Sequence, residues 1–334
     1  MNLNNYNMIG ADFWQGRIDD PGDPDSFRMH QAVQRLDLLK LSELKIDKTK
    51  PNFCLLGFCC DEGVKRNLGR TGAANGPENI RLEFANLPVN FGNKANLFDA
   101  GNIYCVDDKM EEAQEELSNA VELMLSQNLI PLIMGGGHET ALGHYSGISK
   151  FLSGKKSPAI INFDAHLDMR PYDNGGSSGT MFYQIADKCR EENRLFNYLC
   201  LGTQTYGNTI SLFKRAESFG AAYVHAKDII KANYELVSEK INLFSEKSDT
   251  IYVTICADVF NSANAPGVSA TQPFGMDPEV VLYFLKQVLK TNKVISLDIC
   301  EVSPRFDDDN RTAKLAAVIY YSVINTMIEA KENS

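Results

Sequence analysis

Short apolar runs recur along the chain, and longer segments with helical periodicity lie between most of them. Runs of this kind are typical of strands that are buried on both faces of a parallel sheet. Their alternation with helices predicts an α/β fold, in which helices cover both faces of the sheet. Eight runs fit the description: Asn52–Phe58, Asn96–Ile103, Ile130–Met134, Pro158–Phe163, Tyr198–Gly202, Ala221–Val224, Thr250–Cys256 and Lys293–Ile299.

Three segments carry the clearest helical periodicity: Asp107–Gln127, Asp277–Thr291 and Arg311–Ala330. In the first of them, Asp107 stands where an N-terminal cap is expected. We interpret the apolar stripes of these segments as faces that pack on the sheet. Ligands of open parallel sheets bind at the carboxyl ends of the strands, so chemistry is expected there.

The first fifty residues differ in pattern from the rest of the chain. Residues 1–50 include the Asp/Pro/Gly-rich stretch Asp19–Asp25 and predict a peripheral N-terminal arm. No linker or low-complexity tract divides the remainder, so we expect a single domain over residues 1–334. Residues 61–77 predict a long loop, and a loop of that length inside a compact domain is uncommon unless it is functional.

Composition narrows the classes of partner. The 334 residues carry a net charge of −10 and no long basic run, which argues against nucleic acid or an anionic membrane surface. No apolar run approaches the ~18 residues of a membrane-spanning helix, and the N-terminus lacks the regions of a signal peptide. Most of the eight cysteines lie in apolar runs and none forms a Cys-x-x-Cys pair, so we expect a reducing cytoplasmic location.

Potential metal ligands follow three of the predicted strands. Asp164, His166 and Asp168 alternate after one strand, and alternate side chains of an extended segment point to the same face. His138 follows the glycines Gly135–Gly137. Cys256 and Asp258 alternate after a third strand. Carboxylates and imidazoles without a Cys-rich cluster favour a divalent ion such as Mn²⁺ over structural zinc, and carboxylates that can bridge favour two ions.

Several motifs resemble the signature segments of the arginase (ureohydrolase) superfamily. They are Gly135–Glu139, Asn162–Asp168, Ala265–Ala270 and Asp298–Pro304. Within the superfamily, the chain is most similar to the formimidoylglutamase branch, on Trp14–Arg17, Gly63–Arg70, Ser177–Thr180, Ala265–Ala270 and Phe306–Ala313.

The resemblance implies a three-layer α/β/α fold around an eight-stranded parallel sheet, with two Mn²⁺ ions at the strand ends. It also implies a homo-oligomer. The implied activity is the hydrolysis of N-formimidoyl-L-glutamate to L-glutamate and formamide in histidine degradation, and the expected partner is therefore a small anionic substrate.

The resemblance also assigns roles to individual residues. His138 and Asp168 would bind one ion, His166 and Asp258 would bind the other, and Asp164 would bridge both. Glu301 would face the cationic amidine of the substrate. Asp168 could carry a proton to the departing nitrogen, so that Asp168 and Glu301 are the expected catalytic residues.

Three arginines are candidates for the substrate carboxylates. Arg170 comes directly after the Asp-x-His-x-Asp motif and could bind a carboxylate in a bidentate manner. Arg66 and Arg70 lie in the predicted loop, where surface ion pairs are an equally good interpretation.

One position departs from the family pattern. Cys256 stands where the resemblance places a second bridging aspartate, and a thiolate is a poor match for Mn²⁺. The site could therefore hold two ions, one or none, and in the last case the chain would be a non-catalytic relative. Another ureohydrolase activity, on arginine, agmatine or a guanidino acid, is the nearest enzymatic alternative.

Overall fold

The computed structural model describes residues 3–43, 45–153 and 157–333. Within these residues, ten strands join in one sheet. The strands are β1 (Tyr6–Asn7), β2 (Gln34–Arg35), β3 (Asn52–Cys59), β4 (Asn96–Tyr104), β5 (Ile130–Met134), β6 (Ala159–Phe163), β7 (Tyr198–Thr203), β8 (Ala222–His225), β9 (Ile251–Cys256) and β10 (Val294–Cys300).

The order of the strands across the sheet is β1-β4-β3-β5-β10-β9-β6-β7-β8, and β2 also pairs with β4. Every pair is parallel except β1 with β4. All eight predicted strands are present, which confirms the parallel α/β sheet. The sheet is two strands wider than predicted, because two-residue strands are too short to leave a recognisable apolar run.

Helices cover both faces of this sheet, as the alternating pattern predicted. Successive residues of β3 show why both faces need cover, since Phe53 and Leu55 pack in one apolar core while Cys54 and Leu56 pack in the other. The helices are α1 (Met29–Ala32), α2 (Glu62–Arg66), α3 (Gly76–Ala85), α4 (Met110–Ser126), α5 (Thr140–Phe151), α6 (Met181–Glu191), α7 (Ile210–Ser218), α8 (Tyr234–Glu246), α9 (Pro278–Leu289) and α10 (Arg311–Glu332).

Two local predictions are wrong. Asp107 does not cap α4, because Asp107 and Asp108 both adopt left-handed backbone conformations and the helix begins only after Lys109. Residues 61–77 are not one long loop, since they contain α2 and the start of α3. The glycines and charged residues that suggested a loop lie within these two helices and between them.

Trp14, in the segment before residue 50, is hydrogen-bonded to a buried ion pair at the sheet. Asp99 of β4 accepts hydrogen bonds from Arg81 Nε and Nη2, both at 3.0 Å, and Trp14 Nε1 donates to the same carboxylate at 2.7 Å. Arg81 and Asp99 are both buried, so the paired guanidinium and carboxylate satisfy each other away from water. The division into one domain with a peripheral arm stays a prediction.

No helix in the described ranges combines the length and the apolar character that crossing a membrane requires.

Candidate metal centre and active site

The order of the strands brings the predicted metal ligands together. β5, β10, β9 and β6 are consecutive neighbours in the sheet, and all four run in the same direction. Their carboxyl ends therefore meet at one edge. His138 follows β5, Glu301 follows β10, Cys256 ends β9 and Asp164 follows β6.

The glycine turn before His138 is closely packed. A Cβ atom on Gly136 would lie 1.8 Å from the carbonyl oxygen of Cys60, so only glycine fits there. The Gly136 carbonyl accepts a hydrogen bond from the Glu301 backbone N–H at 2.7 Å. In return, the His138 backbone N–H donates to Glu301 Oε1 at 2.9 Å. This exchange fixes a candidate metal ligand and a candidate catalytic residue relative to each other.

Two imidazoles and three carboxylates converge on a small volume. His138 Nδ1 lies 3.1 Å from Asp164 Oδ2 and 3.1 Å from Asp168 Oδ2. His166 Nδ1 lies 3.0 Å from Asp258 Oδ2 and 3.6 Å from Asp164 Oδ1. The two oxygens of Asp164 thus face different histidines, which is the placement that a bridging carboxylate requires.

Cys256 lies in this group. Its sulfur and the nearest donor atoms of His138 and Asp164 are all within 4.8 Å of one another, and the same holds for donor atoms of Asp164, His166 and Asp258. Asp164 therefore belongs to two overlapping groups of possible ligands. Burial, followed by the charge of Asp164, raises the pKa of the Cys256 thiol well above its ordinary value.

Burial and the charges of neighbouring groups shift the pKa values of the carboxylates. Burial, with the charge of Asp164 added, raises the pKa of Asp168 to about 6. Burial also raises the pKa of Glu301 well above its usual range, and the charge of Glu139 adds to the effect. Burial opposes the ionisation of Asp164, but hydrogen bonds from His138 and His166 outweigh it and lower the pKa of that carboxyl.

Negative charge also raises the pKa values of the two imidazoles, whereas burial lowers them. Burial alone would lower the pKa of His138, yet its hydrogen bonds to Asp164 and Asp168 raise the pKa well above the ordinary value. Burial likewise opposes the charged form of His166, and the charge of Asp258 and the hydrogen bond to Asp164 raise its pKa. The site holds more negative groups than positive ones, so it attracts cations.

The donor set fits divalent ions. Asp258 Oδ1 is buried and has no hydrogen-bond partner among the described residues, which is costly unless a cation binds there. Oxygen and imidazole donors suit Mn²⁺, and Cys256 is the one donor in the set that favours a softer ion.

Both candidate catalytic residues occupy unusual backbone conformations. Asp168 has a φ of 47° and Glu301 has a φ of 67°, in the left-handed region that non-glycine residues rarely adopt. Strain of this kind persists where the surrounding structure determines it, often at functional sites. No sequence signal predicted these conformations.

Asn208 binds the backbone of the Asp-x-His-x-Asp segment, and the sequence did not single it out. Its side chain accepts the Leu167 N–H at 2.9 Å and donates to the Ala165 carbonyl at 2.9 Å. These bonds satisfy a backbone N–H and a backbone carbonyl between the ligands of this segment. The buried amide therefore orients Asp164, which precedes Ala165 directly.

Five of the six candidate ligands line a cavity of about 320 Å³; they are His138, His166, Asp168, Cys256 and Asp258. Two further polar residues, Asn67 and Ser178, also line it; they lie in the motifs Gly63–Arg70 and Ser177–Thr180, but no role was predicted for either of them. The lining residues are Asn67, Leu68, Gly69, Arg70, His138, His166, Asp168, Arg170, Ser178, Gly207, Asn208, Leu212, Cys256, Asp258, Ser269, Ala270 and Glu301.

The three candidate arginines have different surroundings. Arg170 lines the cavity, and its guanidinium makes no hydrogen bond or ion pair with any residue that the structure describes. Arg70 also lines the cavity, but Nε and Nη2 donate to the carbonyls of Ser269 and Val268 at 2.9 and 2.7 Å. Its guanidinium also lies 4.2 Å from the ring centroid of Phe306. Arg70 therefore joins two loops, and only part of it is free for a ligand.

Arg66 is a correction to the predicted set of substrate-binding residues. It is absent from the cavity lining, and its guanidinium lies 2.5 Å from Glu111 and 3.2 Å from Glu62. Lys65 is engaged in the same way, by Asp108 at 2.7 Å. The charges that suggested anion binding are neutralised by acidic groups on α2 and near the start of α4.

Comparison with known proteins agrees with this geometry. A model of the arginase family matches residues 51–325. The chain belongs to the arginase family. This arginase-family chain is 52% identical over 327 residues to a formimidoylglutamase from Clostridium tetani, covering 97% of this chain and 96% of that protein. It is 42% identical over 315 residues to a formimidoylglutamase from Fusobacterium nucleatum, covering 93% and 96%.

Solved structures show the same arginase-family fold. A formimidoylglutamase from Bacillus subtilis superimposes with a TM-score of 0.79 at 22% identity, covering 95% of this chain and 97% of that one. A formiminoglutamase from Trypanosoma cruzi, solved with Mn²⁺, superimposes with a TM-score of 0.75 at 23% identity, covering 88% and 98%.

Proposed function

We propose that this chain is a binuclear-metal hydrolase that converts N-formimidoyl-L-glutamate and water to L-glutamate and formamide. The observation that carries the proposal is Arg170, whose guanidinium has no partner among the described residues and lines the same cavity as the ligand cluster. A cationic side chain beside a metal cluster suits a substrate with a reactive amidine and two carboxylates. The similarity to formimidoylglutamases over nearly the whole chain supports the same substrate.

His138, Asp164, His166, Asp168, Cys256 and Asp258 would hold the ions, with Asp164 shared between them. Two divalent ions bound there would lower the pKa of a water molecule and supply a nucleophile near neutral pH. We therefore expect each chain to bind two metal ions, and we expect both to be Mn²⁺.

The chain's own residues would then bind and orient the substrate. Arg170 binds one substrate carboxylate through paired hydrogen bonds. Glu301 lines the cavity next to the ligands and holds the cationic amidine by a charge-assisted hydrogen bond. As the bond between the formimidoyl carbon and the glutamate nitrogen breaks, Asp168 carries a proton to that nitrogen, so that the amine leaves in a neutral form.

The test counts metal ions and products together. After incubation with excess Mn²⁺ and removal of free ion, we expect two Mn²⁺ per chain by elemental analysis, and formamide release from N-formimidoyl-L-glutamate but not urea release from arginine or agmatine. Two ions with turnover of arginine or agmatine instead would favour another ureohydrolase activity. A chain without bound metal and without turnover would be a non-catalytic relative.

Cys256 gives a second expectation about the metal. Replacing it with aspartate supplies the hard oxygen donor that Mn²⁺ prefers, so Cys256→Asp is expected to bind Mn²⁺ about tenfold more tightly or better. Titration calorimetry on the metal-free proteins measures the change. Cys256→Ser is the control, because it removes the thiol without adding a carboxylate and should not gain affinity. Equal affinity of the Asp variant and the natural chain would show that the sulfur is not a ligand.

A further inference from the structure

A polar stripe runs along one face of the two central strands, β9 and β10. The strands are in register with Tyr252 beside Ser296, Thr254 beside Asp298 and Cys256 beside Cys300, and alternate residues of a strand share a face. All six side chains are buried. Buried polar groups cost free energy unless each has a hydrogen-bond partner. The partners of these side chains therefore indicate their role.

The stripe begins at a candidate metal ligand. His138 is buried, and its Nε2 lies 3.0 Å from Thr254 Oγ1. The Thr254 hydroxyl has a single proton, and it donates that proton to Asp298 Oδ1 at 2.5 Å. Thr254 can therefore only accept from His138, which places the proton of the neutral imidazole on Nε2. The other nitrogen, Nδ1, is the one that faces Asp164 and Asp168.

Asp298 cannot donate a hydrogen bond to Thr254, because its carboxylate is surrounded by donors. Besides Thr254, its carboxylate accepts hydrogen bonds from Tyr252 Oη, from His144 Nδ1 at 2.5 Å and from Cys300 Sγ at 3.4 Å. A carboxylate that accepts from four groups is ionised and has no proton to give to Thr254.

His144, on α5, connects that carboxylate to a neighbouring hydroxyl. Its Nε2 lies 2.5 Å from Ser296 Oγ, and the Ser296 hydroxyl donates to the Pro131 carbonyl at 2.9 Å. His144 thus links Asp298 to Ser296 through its two ring nitrogens. Since Pro131 belongs to β5, the chain of hydrogen bonds ends on the strand that leads to His138 itself.

We infer that Thr254, held in place by Asp298, is a positioning residue that fixes His138 with a proton on Nε2 and with Nδ1 directed at the metal. The inference rests on the proposed function, because it requires a metal at His138. Partners behind a metal-bound histidine typically set its tautomer and orientation, and their loss costs about 10- to 100-fold in metal affinity.

The test compares two substitutions of Thr254. Thr254→Val keeps the shape of the side chain but removes the acceptor, so the Kd for Mn²⁺ of the more affected ion is expected to rise about 10- to 100-fold. Thr254→Ser keeps the hydroxyl and should bind within about threefold of the natural chain. Titration calorimetry gives the Kd values, and thermal unfolding of the metal-free variants controls for folding. Valine and serine variants with equal affinity would overturn the inference.

A second measurement needs no substitution. In the Zn²⁺-loaded natural chain, which is diamagnetic, ¹⁵N-edited NMR of the histidines should show His138 with a slowly exchanging proton on Nε2. A His138 that carries no proton on Nε2 would overturn the inference even if Thr254→Val failed to fold. If the natural chain bound no metal, both the proposed function and this inference would fail. If Thr254→Val bound metal as tightly as the natural chain, only the inference about Thr254 would fail.

Discussion

Replacing Asp164 with asparagine is expected to abolish hydrolysis and to empty the metal site. Asp164 is the side chain shared by the two overlapping ligand groups, and its two oxygens face His138 and His166. Asparagine keeps one oxygen, which can still accept the His166 backbone N–H that Asp164 accepts at 2.7 Å, but it loses the charge and the second donor oxygen. Since loss of an outer partner already costs about 10- to 100-fold, we expect a fall in kcat/KM of about a thousandfold or more.

Three measurements check this expectation: initial rates with N-formimidoyl-L-glutamate, Mn²⁺ content per chain, and the rise in Tm on adding Mn²⁺. A ligand that binds only the folded state raises Tm, so the rise should disappear in Asp164→Asn. Asp12→Asn is the control, because Asp12 is exposed and outside the cavity lining. An Asp164→Asn protein that keeps two ions and normal turnover would contradict the bridging role.

The central sheet and the position of the ligands could be predicted because their signals are local. A strand such as Ile130–Met134 is almost wholly apolar, and His138 follows it after a glycine turn. The predicted parallel sheet then implies that such strand ends share one edge. The structure adds the order of the strands, which makes β5, β10, β9 and β6 neighbours and so decides which ends meet.

Features that depend on contacts between distant residues could not be predicted. Arg66 and Arg170 are both arginines close to motif residues, and only the position of Glu111, far along the chain, distinguishes their roles. Thr254 looks like an ordinary polar residue within an apolar strand, and it contacts both His138 and Asp298, the second because of strand register. The left-handed conformation of Glu301 likewise has no counterpart in its sequence neighbourhood.

Replacing Arg170 with glutamine is expected to weaken substrate binding by about 10- to 100-fold in KM, with a much smaller change in kcat. The guanidinium makes no hydrogen bond or ion pair with the described chain, so its loss disturbs no internal contact. Hydrogen bonds to charged groups contribute about 1.5–3 kcal/mol, and about 1.4 kcal/mol corresponds to a factor of ten. Arg170 lines the cavity, and in the proposed function it binds a carboxylate remote from the reacting carbon, so the loss is expected in binding rather than in chemistry.

Arg66→Gln is the matched control. It makes the same change on an arginine whose guanidinium is already paired with Glu111 and Glu62. Its KM should stay within about twofold of the natural value, because exposed ion pairs contribute little and the residue does not line the cavity.

Steady-state kinetics with N-formimidoyl-L-glutamate and with N-formimidoylglycine, which lacks the distal carboxylate, complete the comparison. If Arg170 binds that carboxylate, the natural chain discriminates between the two substrates and Arg170→Gln does not. A larger KM effect from Arg66→Gln than from Arg170→Gln would reverse the assignment.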